Sequence, residues 1–226
     1  MVRTIFLDAG GVLVWPNWTR VSAALAAQGL AVDAAALARA DAPARREIDE
    51  AELVAASTDQ RRGWKYFNLV LTHAGIELSD ATDAALDSLQ EYHRVHNLWE
   101  HVPPFVVPTL ASLRGDGYRL VVLSNANGTL RRAFGRLGLL RYFDALCDSA
   151  EEGVEKPDPR YFEIALTRSR SDPRTTVHVG DLYNVDVAGA RAAGLSAVLV
   201  DEAGLYADAD CARIGSIAEL PAVIRT

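Results

Sequence analysis

"RTIFLDAGG", residues 3–11, decides how the rest of the chain is read. "RTIFLDAG" reads as a short buried strand ending in a turn, and a lone carboxylate, Asp8, breaks its apolar run. Gly10 and Gly11 follow as turn residues. One short strand cannot bury itself, so its partners must come from elsewhere in the chain.

They come from beyond Pro108, where strand and helix patterns alternate. "YRLVVLSN", "FDALCDS", "TTVHVGD" and "SAVLVDE" read as short apolar strands. "NGTLRRAFGRLGL", "DPRYFEIALTRS" and "NVDVAGARAAG" read as the helices between them. In the second helix Asp158 is a candidate N-cap with Pro159 at the first position. Such alternation predicts an α/β fold with a mainly parallel sheet covered on both faces.

Between Trp15 and His101 every strong signal is helical. Asn17 and Ser79 look like N-caps, Gly29 and Gly75 like stops, and Pro43 like a break. The last of these helices is expected to run on until Pro103-Pro104 halts it. The expected domains are therefore a core of residues 1–14 and 103–226 and an inserted helical domain of residues 15–102.

Half of the 226 residues are hydrophobic, which supplies a core of ordinary size. No apolar run reaches the ~18 residues of a membrane span, and the N-terminus lacks the pattern of a signal peptide. Only Cys147 and Cys211 occur, with no C-x-x-C, which fits reduced thiols in a cytoplasmic protein. The formal net charge of −7, without a basic run, argues against nucleic acid as a partner. It leaves a small anionic ligand open, because a few local donors suffice to hold one. Monomer and homodimer are equally compatible with the chain.

In an open parallel sheet the ligand crevice lies beyond the carboxyl ends of the strands. The predicted strands deliver Asp8, Ser124 with Asn125, and Asp181 to that edge, and the loop "GVEKPDP" delivers Lys156. Two carboxylates suit Mg²⁺, which prefers oxygen ligands. An ammonium and a hydroxyl suit phosphoryl oxygens. A carboxylate can itself attack phosphorus. Each residue also has a plain alternative: Asp8 as a turn cap, Ser124 and Asn125 as turn formers, Lys156 as a solvated lysine, Asp186 as a first-turn acid. Their placement at successive strand ends favours the chemical reading.

These segments resemble the haloacid dehalogenase (HAD) superfamily. "DAGGVL" resembles its first motif, "VVLSN" its second, "EKPDP" its third and "HVGDLYNVDVAGARAAG" its fourth. The resemblance implies a Rossmann-like three-layer core with a helical cap that closes over substrate. It also implies a hydrolase using Mg²⁺ on a small phosphorylated metabolite. Asp8 would be the nucleophile, Ser124 and Lys156 the phosphate-handling groups, and Asp181 a metal ligand supported by Asp186. The carbonyl of Gly10 would complete the metal site, and N–H groups around Ala9, Gly10 and Asn125 would donate to phosphate.

One position departs from the family pattern. Most phosphatases of this family carry a second Asp two residues after the nucleophile, and this chain has Gly10. The missing acid–base group is worth ~10²–10⁴-fold in rate. Three readings follow: a Mg²⁺-dependent phosphatase whose substrate has a good leaving group, a catalytically weak ligand-binding or regulatory protein, and a metal-independent 2-haloacid dehalogenase.

Within the helical domain, Trp15, Asn17, Trp18 and Arg20 stand where the chain leaves the core and could line an entrance, with capping or packing as the alternative. Trp64, Tyr66 and Phe67 read as packing, and His93, His96 and His101 lack a fourth ligand for zinc. His178, inside a predicted strand, reads as packing in or beside the sheet.

Overall fold

The computed structural model describes residues 1–224, with residues 59–61 described as backbone alone. The chain divides into two compact units, Met1–Trp15 with His101–Thr226, and Pro16–Glu100.

The first unit holds a six-stranded sheet. Its strands are β1 (Thr4–Leu7), β4 (Arg119–Ser124), β5 (Ala145–Asp148), β6 (Thr176–Gly180), β7 (Ser196–Val200) and β8 (Ala212–Ile214). The two numbers between are short strands at the junction of the units, β2 (Trp15–Pro16) and β3 (Trp99–His101), which pair with each other. The large sheet runs β5-β4-β1-β6-β7-β8, and all its pairings are parallel. Counted within this sheet alone the order is 3-2-1-4-5-6, the doubly wound Rossmann order. All side chains of β1 and β6 are buried, so both faces are covered. This is why β1 carries the apolar residues Ile5, Phe6 and Leu7 in succession instead of alternating ones, and why even Thr176 and His178 of β6 are buried. On one face Phe6, Val121, Leu123 and Cys147 pack with Tyr161, Phe162, Ala165 and Leu166 of the helix Pro159–Ser169.

The second unit is helical and has its own core, built from Trp18, Val21, Leu25, Leu37, Tyr66, Phe67, Leu86 and their neighbours. Tyr66 and Phe67 are buried there, as the packing reading expects. Asn17 caps the first helix, its Oδ1 accepting from the Arg20 N–H at 3.0 Å. The Ser79 N–H donates to the Thr82 hydroxyl at 2.8 Å and starts the last helix.

Two sequence expectations are corrected. Pro43 does not break its helix, which runs Ala34–Ile48. A proline costs a helix interior ~3 kcal/mol, but Ala40 and Asp41 before it and Ala44 and Ile48 after it are all buried. Packing on both sides holds the helix through it. The last helix ends at His96, well before Pro103. Asn97 takes a left-handed φ of 67°, and the Leu98 N–H donates to His93 Nδ1 at 3.0 Å, so a side chain closes the helix. The strands β2, β3 and β8 have only two or three residues each, too few to show a period of two. Among the described residues no helix is long and apolar enough to cross a membrane.

Candidate active site

The sheet order reverses around β1, whose neighbours are β4 on one side and β6 on the other. A crevice opens at the carboxyl ends of strands at such a point. Asp8 stands there. Its backbone N–H donates to the Val179 carbonyl at 2.9 Å, so the ladder with β6 holds the chain up to this residue. The next turn is closed by N–H groups of Leu13 and Val14 donating to the Ala9 carbonyl at 2.9 Å. Gly11, with φ 67°, supplies its left-handed step.

Lys156 reaches Asp8 from the side. Its Nζ lies 2.9 Å from Asp8 Oδ1 and 2.6 Å from Asp186 Oδ1, and its side chain is 1% exposed. The Asp8 contact is an ion pair without hydrogen-bond alignment, and Asp8 Oδ1 is buried with no hydrogen bond. The loop bearing Lys156 is fixed at both ends. Asn125, just past β4, bonds to the Lys156 backbone, and Asp158 caps the next helix by accepting from the Arg160 N–H at 2.9 Å. Ser124, the last residue of β4, is buried, and its carbonyl accepts from Tyr161 Oη at 2.8 Å.

Asp181 follows β6 directly, and Asp186 lies one turn further on, in a π-helical turn over Tyr183–Val187. Two glycines of this segment are required by close approach. A Cβ on Gly180 would stand 2.1 Å from Asp186 Cγ. A Cβ on Gly189 would stand 2.8 Å from Phe162 Cε2 and 2.9 Å from Pro157 Cα. The helix Ala188–Ala192 can therefore seat against the loop that carries Lys156.

One ligand oxygen from each of Asp8, Asp181 and Asp186 falls within 4.8 Å of the others. Two of these carboxylates, Asp8 and Asp186, contact the single ammonium of Lys156, and the third adds to the acidic side of the cluster. Burial, helped by the Asp186 charge, holds the Asp8 carboxyl above the usual range against the pull of Lys156. Burial would raise Asp186 as well, but Lys156 and His178 outweigh it and hold this carboxyl well below the usual range. Lys156 sits above the ordinary lysine value: burial opposes its charge, and Asp186 and Asp8 overcome that. Burial lowers His178 against the attraction of Asp186. A small divalent cation fits this donor set: hard oxygens and an Asp8 oxygen lacking a hydrogen bond.

The structure thus gathers Asp8, Ser124, Lys156, Asp181 and Asp186 in one unit. Asn125 is beside them with its side-chain amide turned to the Lys156 backbone. His178, read as packing, is the residue the sequence did not bring to the site: its Nε2 lies 2.9 Å from Asp186 Oδ1. The available signal was a polar residue in a buried run three positions before Asp181. The three histidines near residue 96 form no metal cluster among the described residues. His93 packs edge-on against Trp64 and Trp99.

A family model described as haloacid dehalogenase-like hydrolase matches residues 2–194. The chain belongs to this family. Over 121 residues it is 40% identical to glyceraldehyde 3-phosphate phosphatase of Methanothermobacter thermautotrophicus, covering 53% of each protein. The chain spans about half the length of the curated relatives it matches. Among solved structures, the HAD-hydrolase YfnB from Bacillus subtilis aligns with a TM-score of 0.72 at 18% identity, covering 100% of this chain and 99% of its own. That likeness shows the HAD fold. A 2-haloacid dehalogenase from Pseudomonas syringae pv. tomato aligns with a TM-score of 0.61 at 26% identity, covering 100% and 99%.

Proposed function

We propose that the chain is a cytoplasmic, Mg²⁺-dependent phosphatase of a small phosphorylated metabolite, with residues 15–102 as its cap domain. The observation that carries this reading is the buried Lys156, 2.9 Å from Asp8 and 2.6 Å from Asp186, beside the carboxylate of Asp181. The phosphatase names among its relatives support it.

Asp8 attacks phosphorus, the ester oxygen leaves with its electron pair, and an aspartyl-phosphate forms. Water then cleaves the acyl phosphate and restores Asp8. Lys156 and the Ser124 hydroxyl hold phosphoryl oxygens, joined by backbone N–H groups of Ala9, Gly10 and Asn125. Asp8, Asp181 and the Gly10 carbonyl hold Mg²⁺, with Asp186 in support. When bound, the cation offsets the repulsion between Asp8 and the incoming phosphate. No acid stands at Gly10 to protonate the departing oxygen, so the reading favours substrates whose leaving group needs little help. Anomeric sugar phosphates, acyl phosphates and aryl phosphates meet that condition.

The test is a screen over sugar, nucleotide, acyl and aryl phosphates, with and without Mg²⁺, with Asp8→Asn as control. Turnover no higher than in the control on every ester would sink the reading. Gly10 and the 26% identity to a dehalogenase support a second reading. Halide release from 2-chloropropionate that is indifferent to Mg²⁺ would favour it.

A further inference from the structure

Asp186 is fully occupied by the protein. Its Oδ1 takes Lys156 Nζ at 2.6 Å and His178 Nε2 at 2.9 Å. Its Oδ2 takes the N–H of Asp181 at 3.2 Å and of Leu182 at 3.0 Å. A carboxylate has about four acceptor positions, and here four donors fill them.

His178 is the unexpected donor. It lies in β6 between Val177 and Val179 and is completely buried, edge-on to Phe162 with ring centroids 5.1 Å apart. Its Nδ1 is buried and makes no hydrogen bond. An apolar side chain would avoid that unmatched acceptor and suit the strand. What the imidazole adds is one N–H. Asp186 already accepts from the Lys156 ammonium and two backbone N–H groups, and the same acceptor role toward His178 assigns the imidazole proton to Nε2.

We propose that His178 is a positioning residue that keeps Asp186 committed to Lys156, so that it does not bind a cation directly. The acidic cluster then divides into two carboxylates facing the cation, Asp8 and Asp181, and one that anchors the lysine. Without the Nε2–H, Asp186 Oδ1 gains a free acceptor position and can swing toward a cation, and Lys156 loses a fixed counter-charge. This inference rests on the Mg²⁺ reading above.

The experiment compares full-length wild type, His178→Leu and His178→Gln, whose amide can still donate. Mg²⁺ binding is measured calorimetrically without substrate, and turnover is measured on the best phosphate from the screen. His178→Leu should bind Mg²⁺ ~3–10-fold more tightly, because a third charged ligand becomes available. Its turnover at saturating substrate should fall ~10–100-fold, as for lost outer-shell partners of metal sites. His178→Gln should recover both. A purely structural histidine would weaken both together, alongside the melting temperature, and that result overturns the proposal. So does unchanged Mg²⁺ affinity and turnover in His178→Leu. If wild type binds no Mg²⁺, the cation reading fails and the inference falls with it, an outcome distinct from variants that bind like wild type. ¹⁵N NMR of wild type checks the tautomer without any variant: a proton on Nδ1 would refute the donor role.

Discussion

Asn125 and Lys156 hold each other through a reciprocal pair of hydrogen bonds. The Lys156 N–H donates to Asn125 Oδ1 at 2.8 Å, and Asn125 Nδ2 donates to the Lys156 carbonyl at 3.0 Å. The amide thus fixes the backbone from which the lysine reaches Asp8. Asn125→Ala should keep the fold and lower kcat/KM by ~10–100-fold, the scale of a catalytic group displaced by an ångström. Steady-state kinetics beside circular dichroism checks it. Wild-type kcat/KM in the variant would mean that Lys156 needs no such support.

Gly180 and Gly63 make a matched pair. A Cβ at Gly180 collides with Asp186, whereas one at Gly63, in the helix Asp59–His73, meets nothing within 4 Å. Gly180→Ala should cost ~1–3 kcal/mol by overpacking and cut turnover by displacing Asp186. Gly63→Ala should add up to ~1 kcal/mol, since glycine is a poor residue for a helix interior. Thermal unfolding of both variants separates the effects. Equal melting temperatures would contradict the close approach at Gly180.

His93 ties stability to pH. Burial pushes its pKa down from 6.5 to about 4, and its Nδ1 already accepts from the Leu98 N–H, which requires an unprotonated nitrogen. The unfolded chain takes up a proton near pH 6.5, while the folded chain resists until about pH 4. The unfolded state binds more protons in between, so stability is full above that window and falls as pH drops through it. The loss levels off near roughly 3 kcal/mol, at 1.36 kcal/mol per pKa unit. Urea unfolding from pH 7 to 4 should show this slope. His93→Asn, which keeps an acceptor, should flatten it; an identical slope would assign the effect to another group.

Gly10→Asp tests what the missing acid costs. The left-handed step of the turn falls on Gly11, so the change does not place a side chain on that conformation. Turnover of alkyl phosphates, whose leaving groups need a proton, should rise by ~10-fold or more, within the range of general acid catalysis. Aryl and acyl phosphates should change little. An equal loss on every substrate would show that Gly10 is needed for space.

The sheet and most of the site were legible because both rest on local patterns. β1, β4, β5, β6 and β7 are mainly apolar runs bounded by turn residues, and the last residue of β4 and the first after β1 and after β6 carry the polar groups. β8 buries only Ile214 of its three residues and gives no such pattern. Pro43 was misread because the forces holding its helix come from packing across the helical unit. Asn125 lies just past β4, and its side chain serves a residue 31 positions away, which no local pattern announces. His178 escaped notice for a similar reason: a histidine in a buried run is usually packing, and its partner is set by the path of the backbone after Gly180.

The central position of β1 has a consequence for how the protein is made. Thr4 pairs with Arg119 on one side and with Thr176 on the other. During synthesis β1 emerges before both of its partners, and the helical unit, encoded between β1 and β4, follows as a block able to fold early. The segment "TIFL" then lacks both partners until β4 has left the ribosome, and keeps one open edge until β6 has followed. A strand made before the helical unit is thus locked in place only after it, and a nascent chain stalled before β6 exposes a sticky edge that chaperones would have to shield.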